Sequence, residues 1–342
     1  MRVEHYHSHL RPQRRVVERD RGWVQHDLES MPCGQLSTGE RGALREVALH
    51  QQHITDTQAD DGAHCVLRRQ GRWDEALAAL ERWNTVDPRG YLVALQASLT
   101  YRLLRDYVMS EEEIRHAIAI APDLPDPYSF GALNYVLWDG ATDRARRLLE
   151  SAPSPDSPRI LYDSLLLDLY DRKPKSALAR LQEFSIEAFS FDYWYLPREL
   201  LECICLSEMN EWKRAEAACA SAVDLLEGEV GARPYDFRLY SALGHAFAFL
   251  DRKEEAVRAG EHAVEVMPTS KDALVGPNLS IELAKIYTQV GETDKALNLI
   301  DELLSIPCDL SVGRLRIDRA WDPLRDHPRF QEILEKYDTT SN

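Results

Sequence analysis

With 342 residues, 44% of them hydrophobic and 29% charged, the chain is long enough for two ordinary domains or one repeat array with a solvated surface. Its formal net charge of −16 shows no basic face for nucleic acid, and an anionic membrane would repel it. Glycine (16) and proline (17) are too few for a strand-rich fold built on tight turns, so helices are expected.

Residues 1–56 hold six of the eleven histidines, few large apolar residues and no repeat register. One helix over 38–53, with Leu44, Val47 and Ala48 on a face, is the only element they suggest. The segment is expected to be poorly ordered, and it reads equally as the remainder of an upstream domain or as a mis-assigned start. His5, His7 and His9 alternate, so an extended chain would set three imidazoles on one side for a transition metal. Nothing nearby would hold and orient such ligands. A flexible histidine-rich tail is the better reading, and no metal or cofactor is expected.

A fixed period begins after residue 65. Gly71-Arg-Trp-Asp-Glu-Ala76 opens a run ending at Asp87-Pro88, and the run through Ser110, Ile114 and Ala117 ends at Ala121-Pro122. The two prolines stand 34 residues apart. In that register small residues fall where paired helices must cross closely: Ala97 and Ser98, then Ser110, then Gly131 and Ala132, then Ala145. Aromatics at Tyr101 and Tyr135 fill the space beside them, and each proline stops one pair and starts the next. Residues 159–184 make a short pair around Ala177 and Leu181. Residues 194–228 make a long pair, whose second helix is expected from Trp212 to about Glu227. Between them Phe184 to Tyr195 is rich in aromatics, read as packing at an irregular junction rather than as a partner anchor. The clearest unit carries Phe237, Tyr240, Leu243-Gly244, Phe247, Ala256, Ala263 and Pro268, with Gly260 where a large residue is usual. The last carries Leu283-Ala284, Tyr287, Gly291, Ala296 and Ile300.

These positions resemble the tetratricopeptide repeat family, over about residues 65–305. The resemblance implies an all-α solenoid, a right-handed superhelix of about seven helix-turn-helix pairs spanning 57–310. Each pair leans on its neighbours to bury its apolar face. Residues 311–342 are expected to cap the array. Asp322-Pro323 and His327-Pro328 look like helix starts, and Phe330, Ile333, Leu334 and Tyr337 form one apolar stripe. This ending is similar to the close of tetratricopeptide regions in bacterial multidomain signalling proteins. The arginine-dominated basic residues, with no lysine before Lys173, also suit a bacterium with GC-rich codons.

In this family the first helices of the pairs line a concave groove in which peptide ligands lie. The inward positions are Arg238, Ser241, His245, Ala248 and Phe249 in the sixth unit. In the seventh they are Asn278, Ile281, Lys285, Thr288 and Gln289. Together they imply a polar, mildly basic patch suited to an acidic peptide or a C-terminal carboxylate. In the second and third units Leu95, Leu99 and Leu133 make an apolar groove. It would take an apolar partner segment, the N-terminal residues or a second copy of the chain. Leu95 and Leu99 replace the lysine and asparagine of the family's chaperone-tail clamp, so that ligand class is not expected.

No H-E-x-x-H, G-x-S-x-G or Walker motif occurs, and no kinase catalytic loop or nucleotide loop is found. Glu111-Glu112-Glu113 opens a helix, where the macrodipole favours negative charge. Cysteines at 33, 65, 203, 205, 219 and 308 include no C-x-x-C pair and read as reduced core residues. With no signal peptide or membrane-length apolar run, the cytoplasm is expected. The function implied is a non-enzymatic protein-interaction scaffold, the regulatory part of a bacterial signalling system. The alternatives are the sensor region of a transcriptional regulator and an enzyme with an unrecognised site.

Overall fold

The computed structural model describes residues 56–338 apart from residue 192, with side chains from residue 62 onward, and these lie in one contact unit, His53–Asn342. The expectations placed on residues 1–55, including the helix over 38–53 and the alternating histidines, fall outside the described residues.

Helices pair in antiparallel hairpins along the whole described chain. The first pairs are α1 (Asp56–Arg69) with α2 (Trp73–Val86), α3 (Tyr91–Leu103) with α4 (Tyr107–Ile120), and α5 (Asp126–Asp139) with α6 (Thr142–Glu150). They continue as α7 (Pro158–Tyr170) with α8 (Pro174–Glu183), α9 (Arg198–Glu208) with α10 (Trp212–Ala232), α11 (Phe237–Phe249) with α12 (Lys253–Val266), and α13 (Val275–Gln289) with α14 (Thr293–Leu304). Each hairpin turns on one residue of left-handed backbone: Gly71, Arg105, Gly140, Arg172, Asn210, Asp251 and Gly291, all with φ between 57° and 77°. Glycine takes this conformation without steric cost, and the other four do so against a small penalty.

Close crossing within each hairpin depends on a small residue in its second helix. Ala76, Ser110, Ala145, Ala177, Ala256 and Ala296 are all 0% exposed, and Ala215 is 3% exposed. Gly260, the one departure from the repeat pattern, has a packing reason. A Cβ there would come within 2.9 Å of both Ile286 and Leu283, and one on Gly244 opposite would lie 3.2 Å from the Gly260 amide. Two glycines let α11, α12 and α13 meet where a large residue would not fit.

The aromatic junction is not helical. Residues Ala188–Ser190 (β1) and Tyr195–Pro197 (β2) form a small antiparallel hairpin, Phe189 opposite Leu196. Phe189 is 2% exposed, and Tyr162 of α7 stands 5.4 Å from its ring and 5.8 Å from that of Trp194. The run packs a junction, and the β-ribbon lets an aromatic cluster fill the gap between two hairpins of unequal length. Helix α10 extends to Ala232, beyond the expected Glu227.

Residues after α14 do two different things. Helix α16 (Pro328–Tyr337) covers the final hairpin, with Phe330, Ile333 and Leu334 buried among Leu297, Ile300, Leu304 and Trp321. Before it, residues 308–322 form a strap, comprising α15 (Val312–Ile317) and the start of a 3-10 turn (Arg319–Leu324). Asp322-Pro323 sits inside that turn instead of starting a helix. The strap crosses the first helices of successive hairpins. Asp309 pairs with Arg102 of α3 at 3.1 Å, and Arg105 donates to the carbonyls of Leu310 and Leu303. Gly313 packs directly on the end of α5, where a Cβ would stand 2.9 Å from both Gly140 N and Leu137 O. Farther on, Asp318 pairs with Lys285 of α13, Arg319 with Glu208 of α9, and Asp322 with Arg172.

Candidate functional site

The strap lies against the face where the concave groove was expected, and it borders a chamber of about 580 Å3. Its walls come from α7 (Leu166, Leu169), α9 (Leu200, Ile204) and α11 (Ala248, Phe249), with Trp194 from the aromatic junction. The strap supplies Arg314, Asp318, Arg319 and Asp322. Trp212, at the start of α10, lines the chamber yet is 63% exposed, which places it at the mouth.

The sequence-derived groove residues divide in two. His245, Phe249, Lys285 and Gln289 line the chamber together. Arg238, Ser241, Asn278 and Ile281 do not. The Arg238 guanidinium is held by Asp236 at 2.8 Å and by the Phe191 carbonyl at 3.1 Å, and the residue is 8% exposed. Asn278 donates to the Leu274 carbonyl at 2.9 Å, while Ser241 and Ile281 are buried. Leu95 is buried and Leu99 and Leu133 are half-buried, all outside the chamber lining. The expected free basic patch is corrected by this arrangement, because Arg238 and Lys285 both spend their charge on internal carboxylates. For Arg238 the reason is local, Asp236 two residues before it, whereas Lys285 meets Glu282 on its own helix and Asp318 of the strap, a segment the repeat pattern says nothing about.

Glu282 and Arg314 are the site residues that repeat periodicity missed. Glu282 accepts from His245 Nε2 at 2.9 Å and pairs with Lys285 at 3.3 Å. Burial opposes its ionisation, but Lys285 and the His245 hydrogen bond hold its carboxyl far below the usual carboxylate range. Burial likewise opposes the Lys285 charge, and Asp318 and Glu282 overcome it to raise its pKa. Arg314 donates to the Asp309 carbonyl at 2.9 Å, while its Nε has no acceptor. Glu208 differs from Glu282: burial pushes its carboxyl up to about 7, and attraction to Arg319 only partly offsets this. One signal was available beforehand, the i,i+4 spacing of Arg314 and Asp318 beside the small Gly313.

The cysteine expectation also needs correction. Cys203 and Cys219 form a disulfide between α9 and α10, sixteen residues apart in sequence. The partner of Cys203 lies across the hairpin, where no short cysteine spacing in the sequence points to it. Cys205 and Cys308 are buried thiols, with burial raising their pKa values to about 12 and about 11. Among the described residues no group of three or more His, Cys, Asp and Glu is placed to hold a metal ion. None of the described helices is long and apolar enough to cross a membrane.

A tetratricopeptide repeat family model matches residues 279–310, which cover most of α13 and all of α14. Residues 279–310 are thus similar to one tetratricopeptide repeat. The matched unit is one of the stacked hairpins described above, so the repeat and the all-α solenoid agree. Among solved structures, a tetratricopeptide repeat protein from Parabacteroides merdae is 14% identical, with 82% of this chain and 97% of that chain covered, at a TM-score of 0.46. PilW, described as a widely conserved type IV pilus biogenesis factor, is 15% identical, with 74% and 94% covered, at a TM-score of 0.32. No curated protein matches the sequence. The repeat match and the stacked hairpins suit a protein-interaction scaffold.

Proposed function

We propose that this chain is a non-enzymatic scaffold that docks a partner protein at the mouth of the chamber. Trp212 carries the reading. It is a large aromatic, 63% exposed, in the lining of a mostly apolar chamber. Exposed tryptophans next to a pocket are the residue type that dominates binding energy at protein interfaces. Phe249 and Gln289, both half-buried, extend the same lining and belong to the positions the repeat pattern assigns to ligand contact. The partner segment is apolar rather than acidic in this reading, because Arg238 and Lys285 already have carboxylate partners. The setting we propose is the regulatory part of a bacterial signalling system, supported by the likeness of the C-terminal residues to the close of such regions.

The test is a photo-crosslinking amino acid placed at position 212 in cells, with a control at the exposed Glu254 on α12. A protein captured from position 212 and not from 254 should lose affinity for the purified Trp212→Ala chain by about tenfold or more. Equal capture at both positions, or binding untouched by Trp212→Ala, rejects this docking site.

A further inference from the structure

We infer that the chamber behind Trp212 is a small-molecule site for an uncharged ligand, with a mostly apolar body and a hydrogen-bond acceptor at one end. This goes beyond the scaffold reading and does not rest on it. The volume of about 580 Å3 falls within the roughly 300–1,000 Å3 of pockets that enclose drug-sized ligands. The walls are those of a ligand pocket too: leucine, isoleucine and aromatic side chains over most of the surface, with a few polar groups gathered toward the strap.

Those polar groups select against net charge. Each carboxylate in the lining already has a cation. Glu282 has Lys285 at 3.3 Å, and it also hydrogen-bonds His245 Nε2 at 2.9 Å. Asp318 has Lys285 at 3.4 Å, and Glu208 has Arg319 at 3.1 Å. Asp322 has Arg325 at 2.6 Å and Arg172 at 2.9 Å. A cationic ligand would find no spare carboxylate, and an anionic one would meet only cations that already face carboxylates, Arg314 among them with Asp318 at 3.9 Å, so either would lose its hydration for little return.

One donor is left over. Arg314 lines the chamber and is 6% exposed, and its Nε–H has no acceptor. The nearest carboxylate oxygen in an ion pair with it, Asp318 Oδ2, is 3.9 Å away, too far for a hydrogen bond. Arg69 and Arg159 also bury an Nε without an acceptor, but neither of them lines the chamber. The Arg314 Nε is buried from the chamber itself, so a small turn of the side chain would present it to a carbonyl or ether oxygen on the ligand while the apolar body fills the space toward Trp194 and Phe249. Because Arg314 belongs to the strap and the apolar walls to α7, α9 and α11, the bound molecule would hold the strap to the array.

Three dyes with related naphthalene bodies test the ligand class. Prodan is uncharged and carries a ketone, phenylnaphthylamine is uncharged without one, and anilinonaphthalene sulfonate is anionic. Prodan should bind the full chain saturably at one site with a blue-shifted emission, and the sulfonate should bind about tenfold more weakly or not at all. Phenylnaphthylamine should fall between them. Ala248→Phe and Ala320→Trp fill the chamber from opposite walls, and each should weaken prodan binding by at least about tenfold with an unchanged melting curve. In the wild type, saturating prodan should also slow amide exchange over residues 200–208 and 312–323, a readout that needs no variant. The inference is overturned by absence of saturable prodan binding, by tighter binding of the sulfonate, or by exchange that does not change in those segments. Undiminished binding by either filled variant, when folded, overturns it as well. Partner capture at position 212 is read separately, so the two proposals fail independently.

Discussion

Arg102 and Asp309 stand 207 residues apart in the chain and meet as an ion pair at 3.1 Å, with side chains 4% and 1% exposed. Asp309 also accepts from Tyr193 at 3.0 Å, so one carboxylate ties the strap to α3 and to the aromatic junction. Removing one member of a buried pair leaves the other desolvated and unmatched, a loss of about 3–5 kcal/mol in well-buried cases. Asp309→Ala should therefore lower the urea-unfolding free energy by about 3 kcal/mol, and Arg102→Met/Asp309→Leu should recover much of that. A loss below about 1 kcal/mol for the single variant would mean that the pair does not fix the strap.

Gly313 offers a cleaner way to lift the strap without touching charge. Its Cα faces the Gly140 amide and the Leu137 carbonyl so closely that no side chain fits, and backbone atoms on both sides cannot rotate away. Gly313→Val should separate α15 from α5 while leaving the helical hairpins intact. The expected result is faster amide exchange and protease cleavage between residues 305 and 323, with far-ultraviolet circular dichroism unchanged. Unaltered protection of that segment would show that the contact is not what holds it.

The left-handed turn residues separate strain from function. Asp251 is exposed at φ 57° and Arg105 sits at φ 63° in the equivalent turn of an earlier hairpin. Asp251→Gly should stabilise the chain by about 0.5–1 kcal/mol by relieving the left-handed penalty. Arg105→Gly relieves the same strain but deletes hydrogen bonds to Leu303 and Leu310, and should destabilise the chain by a comparable or larger amount. Opposite signs in thermal unfolding are the expected outcome, and a gain in stability for Arg105→Gly would remove the clamp from the account.

The contrast between those two turns also marks what could be read from the chain alone. Small residues such as Ala256 and Ala296 announce a helix crossing because close approach forbids anything larger, and the proline period sets where one pair ends. Those are local constraints, and the hairpins follow from them. The strap is not local. Arg314, Asp318 and Glu282 become a site only because residues beyond the repeats fold back, and the i,i+4 spacing of two charges says nothing of where they will land. Lys285 was therefore not legible as already neutralised by Asp318, while Arg238 is taken up by Asp236, two residues away on its own helix start. Phe189 to Tyr195 was legible as packing, but its β-ribbon depends on the gap between two hairpins of unequal length.

Glu208 makes the chamber wall sensitive to pH. Burial raises its carboxyl from 4.5 to about 7, so between those values the folded chain holds a proton that the unfolded chain has released. Stability then falls as pH rises through that window and stays lower above it. Asp163, raised by burial from 3.8 to about 6, contributes with the same sign but is spent above pH 6. The slope between about pH 6 and 7 thus belongs mainly to Glu208, and Glu208→Gln should flatten it, removing a drop on the order of 3 kcal/mol across the whole titration. Denaturation midpoints at closely spaced pH values check this, and parallel curves for the two proteins would contradict it.

The Cys203–Cys219 disulfide closes a loop of sixteen residues across the α9–α10 hairpin, and both residues are 0% exposed. A loop of that length is worth about 3 kcal/mol in chain-entropy terms, so reduction or the Cys203→Ala/Cys219→Ala variant should lower stability by about that amount. Both sulfurs face the hairpin core, so loss of the bond should also raise exchange along α9, which forms one wall of the chamber. Alkylation of the denatured chain followed by mass spectrometry reads the bond directly: residues 203 and 219 should resist labelling until reductant is added. Disulfides persist in oxidising compartments and are rare in the reducing cytosol. Labelling of both cysteines without reductant, in protein rapidly quenched from its native host, would place the chain in a reducing compartment and leave α9 and α10 held by packing alone.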